Sequence, residues 1–227
     1  MAATAVRYLR AAGAQSAHAT EGTVTTGGTG RDARHGTGPV AEPGALPRPD
    51  LRAVREDERA PVDPAHFRRV LGGFASGVTV VTASAAEAEA SPAGFACQSF
   101  ASLSLEPPLV SFMVGRTSTS WPRIARAGVF CVNVLAADQG ELCRAFAVSG
   151  ADKFAGVSYR PTPVTGSPLL EGVAAWIDCE IHAVHTGGDH LIVVGRVRAL
   201  GAAEDDRAPL VFHRGRLGTF TPMDAED

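Results

Sequence analysis

The 227-residue chain is long enough for one medium-sized domain with an extension, because 45% apolar and 20% charged residues allow a sizeable core. The formal net charge of −3 argues against a protein that binds nucleic acid through general attraction to phosphates. No apolar run reaches the length of about 18 residues that a membrane-spanning helix needs. The four cysteines form no C-x-x-C pair, which argues against a closed zinc site or a redox dithiol and is typical of a reducing cytoplasm.

The beginning of the chain differs in composition from the rest. It is rich in Gly, Thr and Pro and lacks the apolar periodicity of a packed helix or strand. We predict a disordered tail at residues 1–60, a folded domain at residues 61–222 and an acidic end at residues 223–227. The first residues resemble an export signal, but Arg7 and Arg10 interrupt the unbroken apolar segment that such a signal needs.

The folded part is predicted to open with a helix. Asp63 is suited to be its N-cap, with Pro64 at the first helical position. An apolar stripe at i, i+3, i+4 and i+7 is expected to pack on a sheet, and Gly77 is expected to end the helix. The stripe consists of Phe67, Val70, Leu71 and Phe74. A buried, β-branched strand is then predicted at Val78–Thr82.

Short β-like runs dominate the remainder of the chain. In one of them, Ile177 and Cys179 alternate with Asp178 and Glu180, which predicts a half-buried strand with the acidic residues outside. The runs lie around Gly94–Phe100, at Leu109–Val114, Val129–Val134, Ala174–Val184 and His190–Leu200, and at Pro209–His213. A hairpin turn is predicted at Thr186–Asp189, and helices at Ser118–Ala127 and Ala137–Phe146. Many short strands with few helices predict a mainly β fold, an antiparallel barrel with helices at its ends.

Residue types used in hydrolysis and metal binding do not form recognisable motifs. The chain has no G-x-S-x-G motif, and no Cys or Ser stands in a local motif with His. A hidden triad assembled across the fold stays open. Three histidines and an aspartate lie near one predicted turn without the spacing of a metal site: His182, His185, Asp189 and His190. We expect polar turn residues there and no metal.

Small polar residues are concentrated in two stretches, Gly94–Ser102 and Gly115–Trp121. The second stretch leads into a predicted helix, where hydroxyls, a guanidinium and free N–H groups suit a phosphate. Capping of that helix by Ser118 or Thr119 explains the same residues equally well. Lys153 is the sole lysine of the sequence. We take this as slightly in favour of a functional role for its ammonium group.

The run GFACQSFASLSLEPP at Gly94–Pro108 resembles the flavin reductase-like proteins of the FMN-binding split-barrel fold. Four further family marks follow in order, at Phe130–Leu135, Asp152–Val157, Gly188–Val197 and Pro209–Gly215. The resemblance implies an antiparallel Greek-key split β-barrel with a few flanking helices.

The same resemblance implies a function. A member of this family reduces free FMN or FAD with NADH or NADPH and supplies the reduced flavin, by diffusion, to a partner flavin-dependent monooxygenase that hydroxylates aromatic compounds or natural products. Hydride transfer from nicotinamide C4 to flavin N5 needs stacked rings and no strong acid or base. A cytoplasmic homodimer with the site at the subunit interface is implied, with no nucleic acid or membrane as partner. The alternatives are a non-catalytic flavin-binding electron carrier and a structural β-barrel module without flavin.

The resemblance also assigns residues by position. His190 is expected beside the nicotinamide, as the catalytic residue. The isoalloxazine is expected to border Ala96, Cys97 and Gln98, and the ribityl phosphate to contact Ser99, Ser118 and Ser120, with Lys153 and Phe154 closing over it. The remaining cofactor-binding candidates are Ser102, Arg116, Thr119, His213 and Arg214. Ala96 and Gln98 replace the commoner Thr and Asn of the family, and Leu217 an aromatic residue, which leaves the choice between FMN and FAD open.

Overall fold

A computed structural model describes residues 62–86, 89, 91–149, 152–205 and 207–223. The predicted tail at residues 1–60 lies outside the described residues, as does all but the first residue of the predicted acidic end. The described part is mainly β, with three helices: α1 Pro64–Leu71, α2 Trp121–Ala127 and α3 Gly140–Ala147.

The strands and their pairing confirm the predicted antiparallel class. The twelve strands in the described part of the chain are β1 Ser76–Gly77, β2 Thr79–Ala83, β3 Ala93–Cys97, β4 Ala101–Ser104, β5 Leu109–Gly115, β6 Val129–Val134, β7 Tyr159–Pro161, β8 Pro168–Leu170, β9 Ala175–Gly187, β10 His190–Ala202, β11 Leu210–His213 and β12 Arg216–Thr219. Seven of them form one sheet in the order β3-β2-β6-β9-β10-β5-β4. A three-stranded sheet has the order β1-β11-β12, and β7 pairs with β8.

The large sheet must curl into a barrel, because β3 and β4 lie at its opposite edges although only residues 98–100 connect them. Six strand spacings of about 4.8 Å separate the edges of a flat sheet by roughly 29 Å. The four residue steps from Cys97 to Ala101 span at most about 14 Å. The two edges are therefore brought together, and the polar connection between them lies where the barrel closes.

The centre of the sheet is the long hairpin of β9 and β10, which the predicted turn joins. β9 ends at Gly187 and β10 begins at His190, and Gly188 adopts the positive φ of 67° that a tight two-residue turn requires. β10 pairs with β5 on its other side, and β9 pairs with β6. Register shifts between Val194 and Gly195 and between Val197 and Ala199 interrupt the hairpin, as β-bulges do where a sheet bends.

Two apolar clusters form the core. Inside the sheet, the rings of Phe112 and Phe130 pack edge to face with centroids 5.3 Å apart. In the second cluster, Phe146 of α3 packs edge to face on Phe154 at 5.1 Å, and Phe154 contacts Tyr159 at 5.4 Å. The second cluster attaches α3 and the loop after it to β3, which positions the cavity described below.

Two expectations for the first helix are wrong in detail. Its N-cap is confirmed, since the Asp63 carboxylate accepts the N–H of His66 at 2.7 Å. The helix nevertheless ends at Leu71, because Gly72 and Gly73 follow, and Gly77 belongs to β1 instead. Its apolar stripe does not pack on a sheet: Val70 is 56% exposed and Phe74 is 81% exposed. A periodic pattern identifies an apolar face without identifying what covers it.

Asp178 is also placed differently from the prediction. The alternating pattern put its side chain outside, but it is fully buried. Its carboxylate accepts the backbone N–H groups of Val164 at 3.2 Å and Thr165 at 3.0 Å, and the Thr165 hydroxyl. Both donors lie in the turn between β7 and β8, two strands of three residues each that are too short to show a period of two in the sequence.

Candidate functional site

A cavity of about 280 Å³ lies where the start of β3, the segment before α2 and the loop after α3 meet. Its lining residues are Ser91, Pro92, Gly94, Thr119, Ser120, Arg123, Asp152 and Lys153. Three of the predicted cofactor-binding residues are therefore brought together, because Lys153 joins the neighbours Thr119 and Ser120 although it lies far from them in sequence.

Lys153 forms part of the cavity wall. Its ammonium group donates to the carbonyl oxygens of Gly94 and Phe146, both at 3.1 Å, and to Ser120 Oγ at 3.4 Å. Ser120 Oγ in turn donates to the Gly94 carbonyl at 2.8 Å. Burial lowers the pKa of Lys153, because its charge is partly removed from water. One ammonium group thus joins three segments of the chain around the cavity.

A second cation, Arg123, lies on the same wall and was missed by the sequence reasoning. Its Nε donates to Glu89 Oε2 at 2.6 Å, and its Nη2 donates to the Ser91 carbonyl. Glu89 Oε1 also accepts from Arg126 at 3.1 Å. The hydrogen bond from Arg123 is the largest cause of the lowered pKa of Glu89, so this carboxylate is charged at neutral pH. The second polar stretch of the sequence analysis ended at Trp121 and so left Arg123 out. Arg123 follows Ser120 by three residues, a spacing that places two side chains on the same face of a helix, and this spacing could have indicated Arg123 as a candidate.

The sequence analysis considered helix capping and phosphate binding for the hydroxyl groups before α2, and the structure separates these hydroxyl groups. Ser118 Oγ accepts the N–H of Trp121, the first residue of the helix, at 3.2 Å, but the N-cap position is held by Ser120, whose side chain makes no capping bond. Ser120 and Thr119 contribute to the cavity instead. The helix begins at Trp121, three residues later than predicted.

The other end of β3 leads to a larger groove of about 1,050 Å³. Its lining residues are Phe67, Arg68, Arg69, Leu71, Gly72, Phe74, Ser76, Gln98, Ser99, Phe212, Arg214 and Gly215. Aromatic and aliphatic side chains thus face three guanidinium groups and the polar residues of the barrel closure. This composition suits a flat aromatic ligand with polar edges.

The predicted residues after β3 are held rigidly at this groove. Ser99 Oγ donates to the Met113 carbonyl at 3.0 Å and accepts the Met113 N–H at 2.9 Å, which fastens the barrel closure to β5. Cys97 Sγ lies 3.3 Å from Ser99 Oγ. Burial raises the pKa of the Cys97 thiol, so the neutral group is not an activated nucleophile.

Arg214 reaches the groove from the turn between β11 and β12. Its backbone N–H donates to the Gly72 carbonyl at 2.9 Å, and its φ is 49°, the left-handed region that non-glycine residues rarely adopt. The turn thereby joins the end of α1 to the small sheet. His213 lies one residue earlier, exposed, and pairs with Arg216.

His190 lies at a third position, at the start of β10 opposite Gly115 of β5. Its Nδ1 is 2.8 Å from Asp189 Oδ1, and this hydrogen bond lowers the pKa of Asp189. The Asp189 carbonyl accepts the N–H of Arg116 at 3.0 Å. The histidine ring is half exposed at the end of these central strands, where the hairpin turn and the start of the second polar stretch meet.

The structure separates the remaining candidates. Ala96 is half-buried and pairs with Val80 on the neighbouring strand. Phe154 is buried in the second core cluster, and Ser102 is exposed on β4 opposite Val110. Within the described ranges, no group of three or more His, Cys, Asp or Glu side chains is arranged to hold a metal ion. None of the helices in the described part has the length and apolar character to cross a membrane.

The cavity and the groove fit the two ends of a flavin nucleotide. Gly94 lines the cavity, and Ser99, two residues past the end of β3, lines the groove; because a strand rises about 3.3 Å per residue, these residues lie at most roughly 16 Å apart. The cavity provides cations and hydroxyls for a phosphate, and the groove provides apolar walls for a ring. Cys97 lies between them, and its buried, neutral thiol is not an activated nucleophile, which is consistent with a site that binds and orients.

Comparison with known proteins identifies the family. The profile of the flavin reductase like domain matches residues 71–221. The chain belongs to the flavin reductase-like family. A flavin reductase of Pseudomonas putida is 49% identical over 172 residues, which cover 76% of this chain and 99% of that protein. The reductase subunit HsaB of a flavin-dependent monooxygenase from Rhodococcus jostii is 49% identical over 161 residues, 71% of this chain and 80% of the subunit.

The fold agrees with solved structures of the family. The NADH:FAD oxidoreductase of Streptomyces globisporus, solved in complex with NAD and FAD fragments, superposes with a TM-score of 0.66 at 36% identity. The match covers 74% of this chain and all of that one. The predictions of the family, of a mainly β antiparallel fold and of an oxidoreductase are confirmed. The roles of individual residues stay predictions.

Proposed function

We propose that the protein transfers a hydride from NADH or NADPH to free FMN or FAD and delivers the reduced flavin to a separate flavin-dependent monooxygenase. The observation that carries this proposal is the pairing of a cationic cavity with an aromatic groove at the two ends of β3. Relatives described as an NADH-dependent FAD reductase and an NADH:FMN oxidoreductase, 37% identical each, support the choice of substrates. We assign the activity to residues 61–222.

The flavin ring supplies the redox chemistry, accepting a hydride from a stacked nicotinamide. The chain's residues bind and orient the two partners. Gln98 and Ser99 border the ring at the barrel closure, where Ser99 is fixed by its two bonds to Met113. The resemblance implied a phosphate contact for Ser99, but this residue lines the groove and not the cavity, so we assign it to the ring. Lys153 contributes positive charge to the phosphate cavity, and His190, half exposed at the start of β10, contacts the nicotinamide. Positioning of this kind supplies rate without a proton-transfer group.

Steady-state oxidation of NADH and NADPH, with FMN, FAD and riboflavin offered in turn, tests the proposed function. We expect turnover of added flavin by a protein that purifies largely colourless. A protein that retains its flavin and does not turn over added flavin is an electron carrier instead. A protein that quenches the fluorescence of none of the three flavins contradicts both flavin hypotheses and supports a structural module.

We propose that a partner monooxygenase receives the product and that the reductase is a homodimer. The monooxygenase partner is supported by relatives described as the reductase subunit of a flavin-dependent monooxygenase and as component B of a nitrilotriacetate monooxygenase. The dimer is supported by the apolar stripe of Phe67, Val70, Leu71 and Phe74, of which the first three lie on α1; all four side chains are exposed, and all but Val70 also line the groove. Burial of a stripe of this kind by a second copy removes its apolar surface from water.

The dimer proposal predicts that Val70→Glu produces monomers in sedimentation velocity, because a charge in a desolvated interface is costly. Val70 is 56% exposed and does not line the groove. Leu105→Glu is the matched control, since Leu105 is 94% exposed in the turn after β4. We expect the control to sediment as the wild type. A wild-type protein that sediments as a monomer at micromolar concentration contradicts the proposal.

For His190, we expect the substitution His190→Ala to slow flavin reduction by NADH roughly 10- to 100-fold, the effect of losing one orienting hydrogen bond. Stopped-flow reduction at saturating flavin measures this step, and fluorescence quenching is expected to give an unchanged flavin affinity. His182→Ala is the control, because His182 is exposed on β9 of the same hairpin. Weakened flavin binding with unchanged reduction assigns His190 to the flavin site, and no change in either leaves it a turn residue.

Lys153 predicts a pH dependence. Burial lowers its pKa, so its charge is lost on the alkaline side earlier than that of an ordinary lysine. A bound phosphate raises the pKa again, so binding takes up a proton in this range and the affinity for FMN falls as pH rises through it. Riboflavin has the same ring without the phosphate, and its binding curve should lack this component. Lys153→Arg keeps its charge over this pH range, so we expect the affinity of this variant for FMN to change less with pH. If the affinities for FMN and riboflavin change with pH in the same way in the wild type, Lys153 does not bind the phosphate.

A further inference from the structure

The donors of the phosphate cavity are unequally available. Lys153 has three ammonium protons, and the structure gives it three acceptors: the Gly94 carbonyl, the Phe146 carbonyl and Ser120 Oγ. Ser120 Oγ uses its single proton on the Gly94 carbonyl. A phosphate in the cavity would feel the charge of Lys153, but a direct hydrogen bond would require one of the present bonds to break.

Arg123 has donors to spare. Its Nε is used by Glu89, and one proton of Nη2 is used by the Ser91 carbonyl. Of the five N–H donors of a guanidinium, those of Nη1 have no acceptor among the described residues. The side chain lines the cavity and is 30% exposed, so water or an anion can reach it.

The guanidinium is also held in place. Glu89 binds Nε at 2.6 Å, and the second oxygen of the same carboxylate is bound by Arg126 at 3.1 Å. Glu89 is only 19% exposed, so the pair is partly shielded from solvent. A guanidinium fixed on one side presents its remaining N–H groups on the other with little loss of side-chain entropy, and its planar fork matches two phosphate oxygens.

We propose that Arg123, oriented by Glu89, is the residue that donates hydrogen bonds to the flavin phosphate, whereas Lys153 attracts the phosphate by charge and fixes the cavity wall. This inference rests on the proposed function and specifies it, because it assigns to Arg123 the discrimination between phosphorylated flavins and riboflavin. Asp152 also lines the cavity and opposes the anion, but its carboxylate accepts the N–H of Phe154 at 3.2 Å. With Arg126 included, three cations stand against the two carboxylates Glu89 and Asp152, so the surroundings of the cavity keep a net positive charge.

The chain offers a matched control for Arg123. Arg126 lies on the same helix and binds the same carboxylate, but it does not line the cavity. Arg123→Gln and Arg126→Gln remove the same charge from the same ion-pair cluster. Only the first removes a side chain that lines the cavity. Glu89→Gln leaves the guanidinium in place and removes the group that orients it.

Fluorescence quenching of FMN and riboflavin measures the effect without turnover. We expect Arg123→Gln to raise the Kd for FMN roughly 10- to 100-fold, the scale of a lost charge-assisted hydrogen bond, and to leave the Kd for riboflavin within about twofold. Arg126→Gln should leave both values within about twofold, since exposed ion pairs contribute little. Glu89→Gln should weaken FMN binding to an intermediate extent. Inorganic pyrophosphate should compete with FMN in the wild type and lose that ability in Arg123→Gln.

Other outcomes overturn the inference. Equal effects of Arg123→Gln and Arg126→Gln on FMN would show that only net charge matters, and equal weakening of riboflavin would show a structural role. If Arg123→Gln does not fold, Arg123→Lys tests the same point, because it keeps the charge and loses the fork; unchanged FMN affinity in that variant contradicts the inference. Absence of NADH oxidation by the wild type would instead refute the proposed function. The quenching and pyrophosphate measurements need no turnover, so they test the role of Arg123 separately.

Discussion

The connection of residues 98–100 is the constraint on which the rest of this structure depends. Three residues must join the opposite edges of a seven-stranded sheet, so the sheet closes and the polar segment after β3 lies at the closure. The two hydrogen bonds of Ser99 to Met113 fasten this segment to β5. A site at the closure is therefore positioned by the whole barrel, and a chain that binds two flat substrates needs such rigidity more than it needs reactive side chains.

A second requirement lies at Gly94, at the other end of the strand. A Cβ at this position would lie 2.7 Å from a ring carbon of Phe146, so only glycine lets α3 pack so closely on β3. This packing brings the Phe146 carbonyl and the Gly94 carbonyl within reach of one ammonium group, that of Lys153. Gly94 on β3, which has no side chain, and Lys153 in the loop after α3 thus belong to one arrangement.

Much of this fold could be predicted from local patterns, and the exceptions have physical reasons. The hairpin of β9 and β10 was recognisable from its length, its alternation and its glycine turn. The position of Asp178 was not, because the turn that buries it is contributed by strands of three residues. The ion pair of Arg123 was hidden because its partner Glu89 is 34 positions away in sequence, with three strands between them. Periodicity reports which face of an element is apolar, whereas burial of a charge depends on partners from elsewhere.

The charge balance of the cavity bears on how a flavin is held and released. Each of its cations already has partners: Arg123 is bound to a carboxylate, and the ammonium group of Lys153 is saturated by neutral acceptors. A phosphate that enters must compete with these interactions, so it gains less than it would from free cations of the same number. The same partners keep the cavity in shape when the phosphate leaves, so little reorganisation accompanies binding or release. A preformed, partly neutralised site favours selective but reversible binding, which is what a protein that hands on its reduced flavin requires.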